Sequence, residues 1–258
     1  MEIINPKRFR ELVKEAQEAA FSGWDFRWLD ERMVQEDTPW DYLELAMEHI
    51  SEVQSLLDMG TGGGEILASL APLPLDTHAT EAYPPNQQLA RERLAPLGVE
   101  VHDIEESDPL PFTDSHFDLV INRHDSFDPK ELHRVLKPGG IFITQQVGGL
   151  NNLELNQYFE KNFSAPFMDW GLAPTLTSLY ESGLDVIRAD KAALRTTFKD
   201  IGAVVYYLKV ITWQVVGFTP EAFQERLAEL HNIIERQGEF ISIAHRFLII
   251  AQKKTENT

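Results

Sequence analysis

The residues best suited to chemistry lie in Leu57-Asp58-Met59-Gly60-Thr61-Gly62-Gly63-Gly64-Glu65, after an apolar strand and before a helix. Glycines there let the backbone turn tightly and let a ligand approach main-chain N–H groups. The dinucleotide fingerprint Gly-x-Gly-x-x-Gly fails, because its sixth position counted from Gly60 is Glu65. That carboxylate at a helix start would also repel a pyrophosphate. The pattern present is acid-x-Gly-x-Gly-x-Gly, on Asp58, Gly60, Gly62 and Gly64. An acid at the strand end favours a cationic or hydroxyl-rich ligand. Two more acids, Glu81 and Asp103, follow the next two apolar runs. Asn122-Arg123-His124-Asp125 follows the fourth.

These groups need a scaffold that brings strand ends together. From residue 53 the chain alternates short strands and helices: VQSLLDMG, a helix in GGGEILASLAPL, DTHATEA, a helix ending at Gly98, VEVHD, HFDLVIN, a helix capped by Asp128, then IFITQQV. Such alternation predicts βαβ units and a mostly parallel sheet with right-handed crossovers. Open sheets of this kind bind ligands at the carboxyl ends of their strands. Residues 5–20 predict an amphipathic helix with Asn5 as cap. Thr38-Pro39-Trp40-Asp41 is expected to open a second helix, with Thr38 as cap. Helices are expected over LNQYFEKNF, PTLTSLYESGL and TPEAFQERLAELHNIIERQG, and strands over LDVIRAD and EFISIAHRFLIIAQKK.

In their order and spacing, these motifs resemble class I S-adenosylmethionine-dependent methyltransferases, closely over residues from about 50 to 150. Asp58 to Gly64, Thr61 included, resembles the family's first motif, which wraps the methionine part of the cofactor. Glu81, followed by Ala82, matches the acid that accepts both ribose hydroxyls; a carboxylate has two oxygens for two donors. Asp103, with Ile104, matches the acid that receives the adenine amino group. Phe117 to Asn122 matches the fourth-strand motif, with Asn122 and Arg123 at the pocket, and Leu136-Lys137-Pro138-Gly139-Gly140 the turn before the fifth strand. The sequence departs from the family at Tyr83-Pro84-Pro85; Tyr83 either packs beside the ribose or faces solvent.

The resemblance implies a Rossmann-like α/β fold. Its seven-stranded, mostly parallel sheet has an antiparallel last strand, and helices lie on both faces. It implies an N-terminal helical cover over residues 1–52, a core over 53–190, a cap inserted over 191–238, and a last strand with tail over 239–258. It implies methyl transfer from S-adenosylmethionine, releasing S-adenosylhomocysteine. The sulfonium is already activated, so the protein's share is proximity and alignment, about 7–11 kcal/mol. His124 is the candidate base, with loop orientation as its other reading. Arg123 either binds an anionic substrate or, as the ordinary expectation, pairs with Asp125. Trp24, Trp28, Gln145, Tyr180 and Tyr206 are candidate substrate contacts. For Trp24, Trp28 and Tyr206 the ordinary alternative is core packing.

Composition narrows the class further. The chain has 258 residues and no cysteine, which excludes thiol nucleophiles, disulfides and thiolate metal sites. The histidines show no metal-ligand spacing, so no metal is expected. The formal charge is −18, which opposes nucleic acid and anionic membrane surfaces as partners. By thirds the charge runs −7, −9 and −2 for residues 1–52, 53–150 and 151–258, so the last third is nearly neutral. The N-terminal stretch has no signal-peptide core and no run is long enough to span a membrane, so a cytoplasmic enzyme acting on a small-molecule acceptor is expected. Three alternatives stand beside it: an RNA methyltransferase, a non-catalytic S-adenosylmethionine-binding protein, and a nicotinamide-dependent oxidoreductase. The oligomeric state is left unassigned.

Overall fold

The computed structural model describes residues 2–22, 24–105, 109–160 and 167–255. Residues 161–163 of the predicted LNQYFEKNF helix, and residues 106–108 of an acidic loop, lie outside them. Eight strands form one sheet: β1 (Met33–Gln35), β2 (Ser55–Met59), β3 (Asp76–Glu81), β4 (Glu100–Asp103), β5 (Phe117–Arg123), β6 (Leu136–Val147), β7 (Leu184–Phe198) and β8 (Phe240–Lys253). Their order is β1-β7-β8-β6-β5-β2-β3-β4. Strands β2 to β6 run parallel, and β8 is antiparallel to both β6 and β7.

The expected seven strands with a reversed last one are present, and β1 is an eighth. It covers the outer edge of β7, pairing Met33–Gln35 with Thr196–Phe198. An open edge invites pairing with another chain, and a short strand blunts it. β7 continues to Phe198, its second half pairing with Ile241 to Arg246 of β8.

Period-2 alternation sends the sheet's side chains to two cores. On one face Leu56, Ile121, Ile143 and Leu248 pack under α2 (Tyr42–Ile50), α3 (Glu65–Ser69) and α4 (Pro84–Leu94). On the other, Leu57, Val120, Phe142 and Ile249 pack under α5 (Pro129–Val135) and α7 (Leu172–Glu181). The α2 cap is Asp41, not Thr38: its carboxylate accepts from Leu43 N and Glu44 N at 2.8 and 3.1 Å. The Thr38 hydroxyl is spent instead on the Trp40 carbonyl at 2.6 Å.

A third core joins the two ends of the chain. α1 (Pro6–Glu18), α6 (Leu153–Phe159), α8 (Ile201–Val210) and α9 (Gln224–Gln237) bury Phe9, Phe159, Tyr206 and Leu230 together. Helix α8 is buried on every side and is the axis of this layer. Its N-cap, Asp200, accepts from Ala203 N at 2.9 Å and takes a two-pronged contact from Arg32, at 2.8 and 2.9 Å. The Arg32 guanidinium lies 4.0 Å over Trp28, which stacks on Tyr206 at 4.5 Å. The N-terminal cover and the insertion are thus one unit.

Asp200→Ala removes a nearly buried ion pair and a helix cap together. We expect a loss of about 2–4 kcal/mol, read as a lower urea midpoint. Asp200→Asn, which keeps the cap, should lose less.

Candidate functional site

The glycine loop leaves β2 at Met59 and enters α3 at Glu65. Gly60, Gly62 and Gly64 all have positive φ, at 68°, 62° and 81°, a region other residues enter only at a cost. Thr61 N donates to Thr80 O at 2.9 Å, which ties the loop to β3. Glu81 closes it: one oxygen accepts from Gly62 N and the other from Tyr83 N, both at 2.7 Å. Burial pushes the Glu81 carboxyl up, against the pull of these N–H groups.

Asp58 sits beneath the loop, 5% exposed. Its carboxyl is pushed up to about 7, first by desolvation and then by the charges of Asp125 and Glu81. The Thr61 hydroxyl lies close enough to oppose this, yet it closes no hydrogen bond of ordinary geometry. Asp125 reaches over the loop, its side chain filling the space a Cβ on Gly60 would need. Three carboxylates therefore converge where the family resemblance puts a sulfonium cofactor. A cationic ligand would compensate the buried Asp58, and the Thr61 hydroxyl would gain a partner of ordinary geometry. The donor set fits that group.

The remaining cofactor candidates flank this centre. Asp103 is half-exposed and paired with Arg91 of α4. Ile104 N donates to Glu81 O at 3.3 Å, which joins the ends of β3 and β4. Ala82 is half-buried and its backbone N–H adds to those that act on the Glu81 carboxylate, and Tyr83 faces solvent. Asn122 is fully buried: it accepts from Thr144 Oγ1 at 2.9 Å and from Gln146 Nε2 at 2.5 Å, and donates to Met59 O. It braces the floor between β2 and β6.

The predicted substrate residues separate. Trp24, held at a φ of 55°, sits so that a Cβ on Gly62 would lie 3.4 Å from its Cδ1, and it meets Trp213 of the insertion. It covers the loop. Trp28 and Tyr206 are packed in the third core, with the Tyr206 hydroxyl spent on Ala20 O, so neither lines the site. Tyr180 is at the wrong end of the sheet. It lies near Lys254, beyond the part of β8 that pairs with the start of β6.

Gln145 is in the site and fixes His124. Trp40 Nε1 donates to Gln145 Oε1 at 2.7 Å, which turns the Gln145 amide nitrogen toward His124 Nε2 at 3.1 Å. That nitrogen must then be an acceptor, so the proton is assigned to Nδ1. His124 has a φ of 65°, a strained conformation of the kind that clusters at functional sites. It reaches solvent but is walled by protein, and desolvation, with Arg123 and Arg246, holds its pKa well below the usual imidazole value. At neutral pH it is an uncharged Nδ1–H donor. Its lone pair is engaged, which disfavours the base role.

The expected Arg123–Asp125 pairing is absent, because Asp125 is drawn over Gly60. Among the described residues Arg123 pairs with no carboxylate; the charges that act with it are those of Tyr42, His124 and Arg246. Sequence reasoning missed Asp125 as a loop contact, and also Tyr42, Trp40 and Arg246. Arg246 alone carried a signal, as a charge within the apolar run of β8.

At the opposite, amino ends of the strands the fold assembles histidines that spacing did not connect. His78 bridges His102 Nε2 at 3.0 Å and Asp76 at 3.0 Å, and His116 meets Asp76 at 3.1 Å. With Glu100 these form two groups of metal-ligand type, drawn from β3, β4 and the residue before β5.

The sheet places acids at three consecutive strand ends with a glycine loop between the first two, the end of an open α/β sheet at which ligands bind. Residues 57–144 match the model of the methyltransferase domain family. Among solved structures it is similar to a proposed methyltransferase from Bacillus halodurans, with 19% identity, a TM-score of 0.58, and coverage of 83% of this chain and 99% of that one. A proposed sarcosine dimethylglycine methyltransferase from Galdieria sulphuraria is 21% identical, with a TM-score of 0.52 over 82% of this chain and 83% of that one. The 4+2 cyclase SpnF is 15% identical, with a TM-score of 0.52 over 96% and 94%. These likenesses are of fold. No curated protein sequence matches the chain.

The Asp58 pKa makes a sign-definite prediction. Its folded value, about 7, lies above the unfolded 3.8. Its contribution to stability is therefore full below 3.8 and lost as pH rises toward 7. Asp58→Asn should flatten stability between those values and raise it at pH 8 by at most about 4 kcal/mol, measured by denaturant titration of the unliganded protein across pH.

Proposed function

We propose that the protein transfers a methyl group from S-adenosylmethionine to a small-molecule acceptor in the cytoplasm. The observation that carries this is the buried Asp58 carboxylate, raised toward 7 beside Glu81 and Asp125 under a positive-φ glycine loop. Such a site favours a ligand bearing positive charge and hydroxyls, and disfavours a pyrophosphate. That weighs against the nicotinamide reading.

Bound S-adenosylmethionine supplies an activated methyl group on a sulfonium. The protein's residues bind and align. Glu81 accepts the ribose hydroxyls with the lone pairs that Gly62 and Tyr83 leave open. Asp58 and Asp125 compensate positive charge along the methionine part. Asp103 and Ile104 flank the adenine. Trp24 closes over Gly62 and keeps water from the loop. Asn122, Thr144 and Gln146 form a rigid polar floor, so alignment does not have to be bought at each turnover. The third core, built from the N-terminal cover and the insertion, acts as the lid over the acceptor. The −18 charge supports a small acceptor over RNA or DNA. No described helix is long and apolar enough to cross a membrane.

Calorimetric titration with S-adenosylhomocysteine, S-adenosylmethionine and NAD tests the reading. The first two should bind, with affinity rising as pH passes through 7 and Asp58 ionises. Glu81→Ala should weaken them by about 1–3 kcal/mol. Tight NAD binding without the others would overturn the proposal. A metabolite screen with a labelled methyl donor then identifies the acceptor; cofactor binding with no labelled product would indicate the non-catalytic alternative.

A further inference from the structure

Three adjacent strands, β5, β6 and β8, present one polar row beyond the apolar core. Arg123 is paired in register with Gln145, and Gln145 with Leu248. Arg246 is two residues from Leu248, so the strand period returns it to the same face. Ile121, Ile143 and Leu248 lie on this face inside the core, packed against Trp40 and Tyr42. Arg123, Gln145 and Arg246 continue it toward the site.

Neither arginine has a counter-ion among the described residues, in a chain with 41 acids against 23 bases. Arg246 is held by neutral acceptors only: Asn151 Oδ1 at 2.6 Å, the His245 carbonyl at 2.9 Å and Gln35 Oε1 at 3.0 Å. These fix its fork without discharging it. Arg123 makes no hydrogen bond among the described residues. Desolvation holds both guanidinium groups below their usual value, and the charge of Arg123 adds to this at Arg246. Beside Arg123 the Tyr42 side chain is buried, and its hydroxyl lies near the Asn122 backbone N–H without closing a hydrogen bond of ordinary geometry. Arg246 is half-buried and Arg123 is exposed; their like charges act on each other, and an anion bound between them would relieve that repulsion. The acids Asp58, Glu81 and Asp125 lie across the sheet over β2 and β3. The cleft is therefore polarised, negative where the cofactor would lie and positive over β5 to β8.

We propose that the methyl acceptor carries an anionic group, a carboxylate or phosphate, which Arg123 and Arg246 bind while its nucleophilic atom points toward the glycine loop. Planar guanidinium forks suit both anions. The His124 Nδ1–H and the Tyr42 hydroxyl are further donors. The assignment rests on the methyl-transfer reading for the step that follows: the acceptor atom gives its lone pair to the methyl carbon, the carbon–sulfur pair returns to sulfur, and the proton of an N–H or O–H nucleophile passes to solvent.

The test uses the full-length protein, with and without S-adenosylhomocysteine, and a matched set of probes: benzoate and its hydroxy and amino derivatives, phenyl phosphate, benzyl alcohol and benzylamine. Binding is read by ligand-observed NMR. We expect the carboxylates, the phosphate or both to bind and the neutral and cationic probes not to, with the stronger set naming the anion. Arg246→Gln and, separately, Arg123→Gln should weaken anion binding by about ten- to a hundredfold, and in Arg246→Gln the S-adenosylhomocysteine affinity stays unchanged. A cooperative thermal unfolding transition shows that each variant is folded; the exposed Arg123 serves if Arg246→Gln does not fold. Equal binding of neutral probes, no anionic probe binding at millimolar concentration, or anion binding indifferent to both substitutions would overturn the proposal. Loss of S-adenosylhomocysteine binding in the parent protein, with anion binding intact, would instead count against the methyl-transfer reading alone.

Discussion

A carboxylate placed where water cannot reach it organises this molecule. Asp58 ends a strand whose five residues are all buried, and its charge is opposed by two further acids. Such a group is tolerated only if a ligand repays it, because a buried unpaired charge costs several kcal/mol. The glycine loop above it, the N–H clamp of Glu81 and the cover of Trp24 all follow from that need. They hold open a place for positive charge and close it to water. The fold around it is stable enough to hold this frustration, since two apolar cores grip the sheet from both faces.

The same logic, with the sign reversed, applies on the acceptor side. Arg246 is supported by amides and a carbonyl rather than by acids, although acids are abundant in the chain. Gln145 holds no charge itself but transmits orientation from Trp40 to His124, and so sets which imidazole nitrogen carries the proton. Polar groups that act by fixing others are as much part of the site as those that touch ligand.

Much of this was legible in the residues, because the relevant signals are local. The strand–loop–helix at Asp58 to Glu65, the acids Glu81 and Asp103 at successive strand ends, and the β5 motif are each set within a few residues. What was hidden depends on pairings distant in sequence. β1 is three residues long and makes sense only as an edge for β7. Tyr180 looked suitable by type, but its helix runs away from the site. Trp28 and Tyr206 found one another. The histidines at 78, 102 and 116 carry no spacing rule, since the pairing of β3 with β4 and the chain entering β5 bring them together. The Arg123–Asp125 pairing was a fair reading of neighbours two apart, until the empty side of Gly60 offered the acid another place.

The attachment of the chain's beginning has a consequence for how the molecule is made. Ile4 N bonds to Asn232 and Ile4 O to His231, 228 and 227 residues away, and Asn232 also holds Glu2 O. Helix α1 packs on α8, and Arg32 on Asp200. This segment therefore has no partner until residues 201–237 have been synthesised. Contacts this far apart in sequence form late and slowly. During translation the apolar face of α1 must wait exposed while the cofactor-binding half completes, a window in which a nascent chain is open to aggregation and to chaperone capture.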